Sequence, residues 1–258
     1  VKSQLNDDEV KRQMHGPVAI ILAAGHGKRM KSEKAKVLHE VCGRPMIRYV
    51  VDAVRGAGAV KIVVVVGHGA DQVKAALAGE PDIVFATQHR QLGTGDAVKA
   101  AKSVLEGVVG PALVVVGDEP LIRAQPLADL LARQAEAKAA CLLGTATVAD
   151  PTGFGRVVRG EDGEFVKIVE QKDCSPEQIH IQEVNPSCYV FELPGLWDAL
   201  DKLGTSNAQG EYYLTDALEL IQDGGGAVDS FKAEDPSEVI GVNDAQQLAL
   251  AACVMRNG

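Results

Sequence analysis

No two cysteines in this chain stand in C-x-x-C spacing: Cys42, Cys141, Cys174, Cys188 and Cys253 are scattered and odd in number. That excludes a disulfide framework and a thiolate zinc site, and predicts reduced thiols in a reducing compartment. Long apolar runs are missing as well. VAIILAA, IVVVV and ALVVV fall far short of the roughly 20 residues that cross a bilayer. The charged opening VKSQLNDDEVKRQ has no apolar stretch resembling a signal peptide, so the expected location is the cytoplasm. Net positive charge is lacking too, at −9 with an isoelectric point near 5.2. A nucleic acid or an anionic membrane surface calls for a basic face, so neither partner is expected and any cationic cluster must be local. There is no string of hexapeptide-like repeats, which excludes a left-handed β-helix in this chain.

What is present is an ordinary globular composition, 258 residues with 46% hydrophobic, enough for one domain with lobes. Residues 1–16 lack periodicity and read as an N-terminal tail. Short β-branched runs at 18–22, 61–66, 82–86 and 112–116 then alternate with helical patterns at 45–57, 70–79, 95–107 and 126–138. Met46, Ile47, Val50, Val51 and Val54 share one face, with Pro45 in a tolerant first-turn position. Strands that are apolar on both faces and separated by helices predict a Rossmann-like, mostly parallel α/β sheet covered by helices on both sides. From about residue 140 consecutive strand patterns (CLLGTATV, GRVVR, FVKIVEQ, SCYVFEL) predict a smaller antiparallel lobe laid on the first. Helices are expected again at 195–203, 211–222 and 243–255, with AVDSFKA as a strand between the last two.

Three loops follow these strands. In LAAGHGKRM, Gly25 and Gly27 let backbone amides turn inward toward an anion. The pattern is not a P-loop, because Arg29 follows Gly27-Lys28 where Ser or Thr is needed. Nor is it a dinucleotide fingerprint, because Met30 stands at the third glycine and the second strand ends in VGHG without an acid for a ribose. Two readings remain open: a triphosphate loop assisted by Arg29 and Lys36, or a surface loop of solvated lysines. In VVVGDEPL, Asp118 at the carboxyl end of a strand could hold a hard cation such as Mg²⁺, or could turn the chain before Pro120. In TQHRQLGTGDA, the amides of Gln88 and Gln91 and the backbone around Gly93, Thr94 and Gly95 could read a base edge, or serve as a loop and helix cap. Asn243 with Gln246 reads as a helix N-cap with a capping box.

Together with DPTGFGRVVR, IVEQKD, IQEVN, NAQGEYYLTD and GVND, these loops resemble the uridylyltransferase domain of the bacterial N-acetylglucosamine-1-phosphate uridylyltransferases, from Val18 onward. The resemblance implies a nucleotide-diphospho-sugar transferase fold over 17–258, with a nucleotide part at 17–139 and 225–258 and a sugar-binding lobe at 140–224. It implies Mg²⁺-dependent transfer of UMP from UTP to N-acetylglucosamine-1-phosphate, giving UDP-N-acetylglucosamine and pyrophosphate; the alternatives are a nucleotidyltransferase for another hexose 1-phosphate or another NTP, and a sensor that binds a sugar nucleotide without turnover. Leu22, Ala23, Ala24, Gly25, Arg29 and Lys36 would bind the triphosphate, and Gln88, Gln91, Gly93 and Thr94 the uridine. Asp118 and Asn243 would hold the metal, and Gly155, Glu170 and Asn185 the amino sugar. No general base is needed, since a phosphate monoester is already a nucleophile near neutral pH, and no Ser/His/Asp or Cys/His set is found. Two departures stand out. Pro186 and Ser187 follow Asn185 where the family has a small residue and glycine, which opens the acceptor to N-acetylgalactosamine-1-phosphate or another hexose 1-phosphate. The expected absence of a β-helical acetyltransferase domain predicts no acetyl transfer.

Overall fold

The computed structural model describes residues 16–233, 235 and 241–257; apart from Gly16, the expected tail at 1–16 lies outside the described residues. In chain order the elements are β1 (Val18–Ala23), the short hairpin β2 (Glu40–Val41) and β3 (Arg44–Pro45), α1 (Met46–Gly56), β4 (Lys61–Val66), α2 (Ala70–Ala76), β5 (Ile83–Thr87), α3 (Thr94–Ala100), β6 (Gly110–Val116) and α4 (Ala124–Ala137). They continue as β7 (Cys141–Thr147), β8 (Gly155–Arg159), β9 (Phe165–Val169), β10 (Glu183–Asn185), β11 (Tyr189–Leu193), α5 (Gly195–Leu200), α6 (Asp216–Asp223), β12 (Val228–Lys232) and α7 (Ala245–Asn257).

One ten-stranded sheet runs β5-β4-β1-β6-β11-β7-β10-β8-β9, with β12 parallel to β7. The first four strands are parallel, and their period-2 alternation splits into two cores. Ile20, Val63, Val65 and Val114 face one side; Ile21, Ile62, Val64 and Val115 face the other. Helices α3, α5 and α6 cover the first face and α1, α2 and α4 the second, so the strand interiors are apolar on both faces and read as unbroken runs.

The antiparallel lobe is not laid on this sheet but grows out of it. Strand β11 inserts between β6 and β7, antiparallel to both, and β10, β8 and β9 extend beyond β7. The strand β10, inside IQEVN, carries no run of its own long enough to be read from sequence. Two helices differ from the pattern. The expected helix at 95–107 stops at Ala100 and tightens into a 3₁₀ turn, Lys102–Val104, where Lys61 Nζ caps the Val104 carbonyl at 3.1 Å. The helix expected from 211 begins at Asp216, because the backbone of Tyr212 is paired with the loop before α3 (Tyr212 N to Leu92 O, 2.8 Å).

Candidate active site

Chain order places β4 and β5 on one side of β1 and β6 on the other, so the loops leaving β1 and β6 part company at their carboxyl ends. Such a switch point leaves a crevice, the usual ligand site of an open α/β sheet. Leu22 pairs with Val116 across it, and the next amide, Gly117 N, donates to Leu22 O at 2.9 Å.

The loop after β1 folds so that Gly27, at φ 59°, lies against the stem of Lys36; a Cβ there would sit 2.7 Å from Lys36 Cβ. Lys36 opens a 3₁₀ turn anchored by buried Val37 and Leu38. Gln72 of α2 fixes its approach, accepting from Ala35 N at 2.9 Å and donating to Glu33 O at 3.2 Å. The Lys36 ammonium then forms an ion pair with the Asp118 carboxylate and donates to Asn243 Oδ1 at 2.6 Å. Val242 N donates to Asp118 O at 2.9 Å, tying the two loops together.

Asn243 is not the helix N-cap expected from sequence. Asp244 accepts from the amides of Gln246 and Gln247 at 3.0 and 2.9 Å, and Gln247 accepts from Asn243 N at 2.7 Å. Capping one residue later releases the Asn243 side chain to face Lys36. Asp118 likewise makes no cap before Pro120; its carboxylate is turned to the ammonium.

Two cavities meet at this point. One, of 260 Å³, is walled by Leu22, Ala23, Ala24, Gly25, Lys36, Gln88, Gln91, Gly93 and Thr94, with Val116, Asp118 and Glu211. The other, of 220 Å³, is walled by Arg29, Gly155, Glu170, Asn185, Pro186, Ser187 and Asn243, again with Val116 and Asp118. The structure thus brings the expected nucleotide residues into one cavity and the expected sugar residues into its neighbour, with Asp118 in both walls. Two positions differ. Arg29 faces the second cavity rather than the first, and Gly27 is in neither wall, its place being against Lys36. Gln88 is buried, and its amide nitrogen is committed to Gly93 O (3.1 Å) and Asp96 Oδ2 (2.8 Å). It holds its loop as well as lining the cavity.

In the second cavity, burial pushes the Glu170 carboxyl above its ordinary range, partly offset by a hydrogen bond donated by Thr215 at 3.2 Å. Asn185 donates to the Tyr189 hydroxyl at 2.6 Å and accepts from Ser187 N at 3.0 Å. This turn holds Ser187 at φ 60°, a left-handed conformation that glycine would adopt without strain. Beside Asp118, burial first and the neighbouring carboxylate second push Glu119 well up, with Lys36 opposing.

The donor set at the junction fits a hard divalent cation. One carboxylate and one amide oxygen already share a single cationic group, the Lys36 ammonium, which here holds the position of positive charge. Mg²⁺ binds through few protein oxygens and leaves positions for water and phosphate. Among the described residues no three His, Cys, Asp or Glu side chains cluster as a metal cage, so a site supplied wholly by such ligands is not found there.

Sequence reasoning missed Glu211, Glu119, Phe154 and Gln247, which also line these cavities. Glu211 and Phe154 lie inside motifs already singled out, and Gln247 is the neighbour of Gln246, so the signal was present but its register was not. No helix among the described residues is long and apolar enough to cross a membrane.

The sequence profile of the MobA-like NTP transferase domain matches residues 19–177. The chain is 52% identical to the "Bifunctional protein GlmU" of Pelotomaculum thermopropionicum over 90% of its own length and 50% of that protein. It is 47% identical to the protein of the same name from Lactobacillus gasseri over 92% of its length and 51% of the relative. It therefore spans about half the length of these curated relatives. Among solved structures, a Bacillus anthracis protein described as a glucose-1-phosphate thymidylyltransferase, crystallised with sucrose, superposes with TM-score 0.77 over 94% of this chain and 96% of that one. At 18% identity it attests the fold alone.

Proposed function

We propose, on the premise that this chain belongs to the family of MobA-like NTP transferase domains and is a nucleotidyltransferase for sugar 1-phosphates, that it transfers UMP from UTP to N-acetylglucosamine-1-phosphate with release of pyrophosphate. The observation that carries this reading is the pair of adjoining cavities with Asp118 in their common wall and the Lys36 ammonium beside it. A donor and an acceptor seated in the two cavities would meet at that wall.

The reaction forms a bond from an acceptor phosphate oxygen to the α-phosphorus and breaks the bond from that phosphorus to the β-phosphate oxygen. Both reactants are anionic, so the protein's work is positioning and charge rather than covalent catalysis. Lys36 supplies charge on the nucleotide side and Arg29 on the acceptor side, each from its own cavity wall. Glu170 and Asn185 orient the sugar, while Gln91 and the Gly93–Thr94 backbone hold the base. A Mg²⁺ ion held by Asp118 and Asn243 would add Lewis-acid charge at the phosphate being transferred.

The test is a pyrophosphate-release screen of the four NTPs against several sugar 1-phosphates with Mg²⁺. UTP with N-acetylglucosamine-1-phosphate is expected to give the highest kcat/KM. Preference for another nucleotide, or no pyrophosphate with any pair, overturns the reading. Ser187 and Pro186 in the sugar wall favour one second candidate, N-acetylgalactosamine-1-phosphate, and the same screen decides between the two acceptors.

A further inference from the structure

One continuous segment, residues 207–215, is hydrogen-bonded to a residue in each cavity wall, Thr94 in the first and Glu170 in the second. On the nucleotide side, Tyr212 pairs its amide with Leu92 O and its carbonyl with Gly95 N, each at 2.8 Å, and Leu214 N donates to Thr94 Oγ1 at 3.0 Å. The fit there is tight, since a Cβ on Gly93 would lie 2.4 Å from Tyr212 O. On the sugar side, Thr215 donates to the Glu170 carboxylate. Asp173 pins the middle: its Oδ1 accepts from Ala208 N at 2.8 Å and its Oδ2 from the Tyr213 hydroxyl at 3.2 Å. The same residue is joined to Glu170 through a 3₁₀ turn, Gln171–Asp173, by Asp173 N to Glu170 O at 2.8 Å. Asp173 itself is exposed and belongs to neither cavity wall.

We infer that Asp173 is a positioning residue that locks segment 207–215 to the sugar wall, so that filling the sugar cavity tightens the nucleotide cavity through Tyr212 and Thr94. The inference rests on the proposed assignment of the two cavities and adds their coupling. When an acceptor fixes Glu170, the turn carrying Asp173 is fixed with it, and so is the segment that braces the loop at Leu92–Gly95. Coupling between sites is reciprocal and typically amounts to 5- to 150-fold in affinity. A short hydrogen-bonded segment belongs at the low end of that range.

The experiment is calorimetric titration of α,β-methylene-UTP, which cannot release pyrophosphate, into the protein with Mg²⁺, with and without saturating N-acetylglucosamine-1-phosphate. The wild type is expected to bind the analogue about 5-fold more tightly when the acceptor is present. Asp173→Ala should bring that ratio below about twofold while leaving affinity in the absence of acceptor, and the melting temperature, near those of the parent. A purely structural role would move the last two instead. Tyr213→Phe, which drops only the hydroxyl, should lower the ratio as well, and Asp173→Asn should fall between parent and alanine. A wild-type ratio near one, or an unchanged ratio in Asp173→Ala, overturns the coupling and leaves the assignment of the cavities standing. Failure of the wild type to bind either probe overturns that assignment, and the coupling with it.

Discussion

Asp118 has a buried carboxyl group next to it in sequence and an ammonium across the crevice, so its charge is opposed on one side and matched on the other. Replacing it by asparagine keeps the shape and one oxygen but removes the charge that would bind a metal ion. Asp118→Asn is expected to lower kcat by about 100-fold or more, the scale of one lost electrostatic stabiliser, while the dissociation constant of UTP shifts far less. Steady-state kinetics alongside equilibrium binding checks this, and equal losses in both would contradict the role given to Asp118. Glu170 gives a second prediction. Its folded pKa is raised above 4.5 by burial, so the stability it contributes is present below that value and is lost as pH rises through the folded one. Glu170→Gln should therefore gain stability relative to the parent at pH 7–8 and not at pH 4, in urea titrations at each pH, while the KM for the sugar 1-phosphate rises. Asn243 was legible as a polar residue heading a helix but not as one free of capping, because Asp244 next to it is an equally good cap and only the fold selects between them.

At the level of elements, the N-terminus of α3 is defined by its contact with a segment more than a hundred residues later rather than by its own capping chemistry. Thr94 spends its hydroxyl on Leu214 N, and Gly93 takes φ 118° to let the Tyr212 backbone approach. Gly93→Ala must both strain that backbone and push Tyr212 away. The expected cost is roughly 2–4 kcal/mol from strain and overpacking together. Urea unfolding would read it as a lower midpoint at an unchanged m-value, and a neutral result would mean that the two segments do not touch as described. The same contact explains why α6 starts at Asp216 and not at 211: both backbone groups of Tyr212 are already engaged with the loop at Leu92–Gly95.

For the whole molecule, the loss of stability in acid follows from carboxylates held below their ordinary range. Asp201 is lowered to about 2, first by its hydrogen bonds to Lys102 and Lys99. Asp82 is lowered mainly by Arg55 and Glu183 mainly by Arg159. Depressed folded values mean stability that is present above the unfolded values, 3.8 for the aspartates and 4.5 for the glutamate, and is lost as pH falls through the folded ones. The unfolding midpoint in urea should thus decline from about pH 4.5 downward, the part due to Asp201 being lost last, near pH 2. In Asp201→Asn the decline between pH 4 and 2 should be shallower; an unchanged slope would show that the Lys99 and Lys102 pairs contribute nothing to the stability lost in acid.

The sequence by itself determined the two-faced parallel strands, the helices that cover them and the three loops at their carboxyl ends. Apolar periodicity reports which faces are buried, and glycine reports where the backbone must turn. Tertiary structure alone decided the rest: the insertion of β11 between β6 and β7, the turning of Arg29 toward the second cavity, and the meeting of Lys36 with Asn243, 207 positions away in the chain. Periodicity and capping are local properties, felt over a few residues. The contact of Lys36 with Asp118 and Asn243 is made by side chains from separate loops, and the distance between them is fixed only when the sheet beneath has set its strand order.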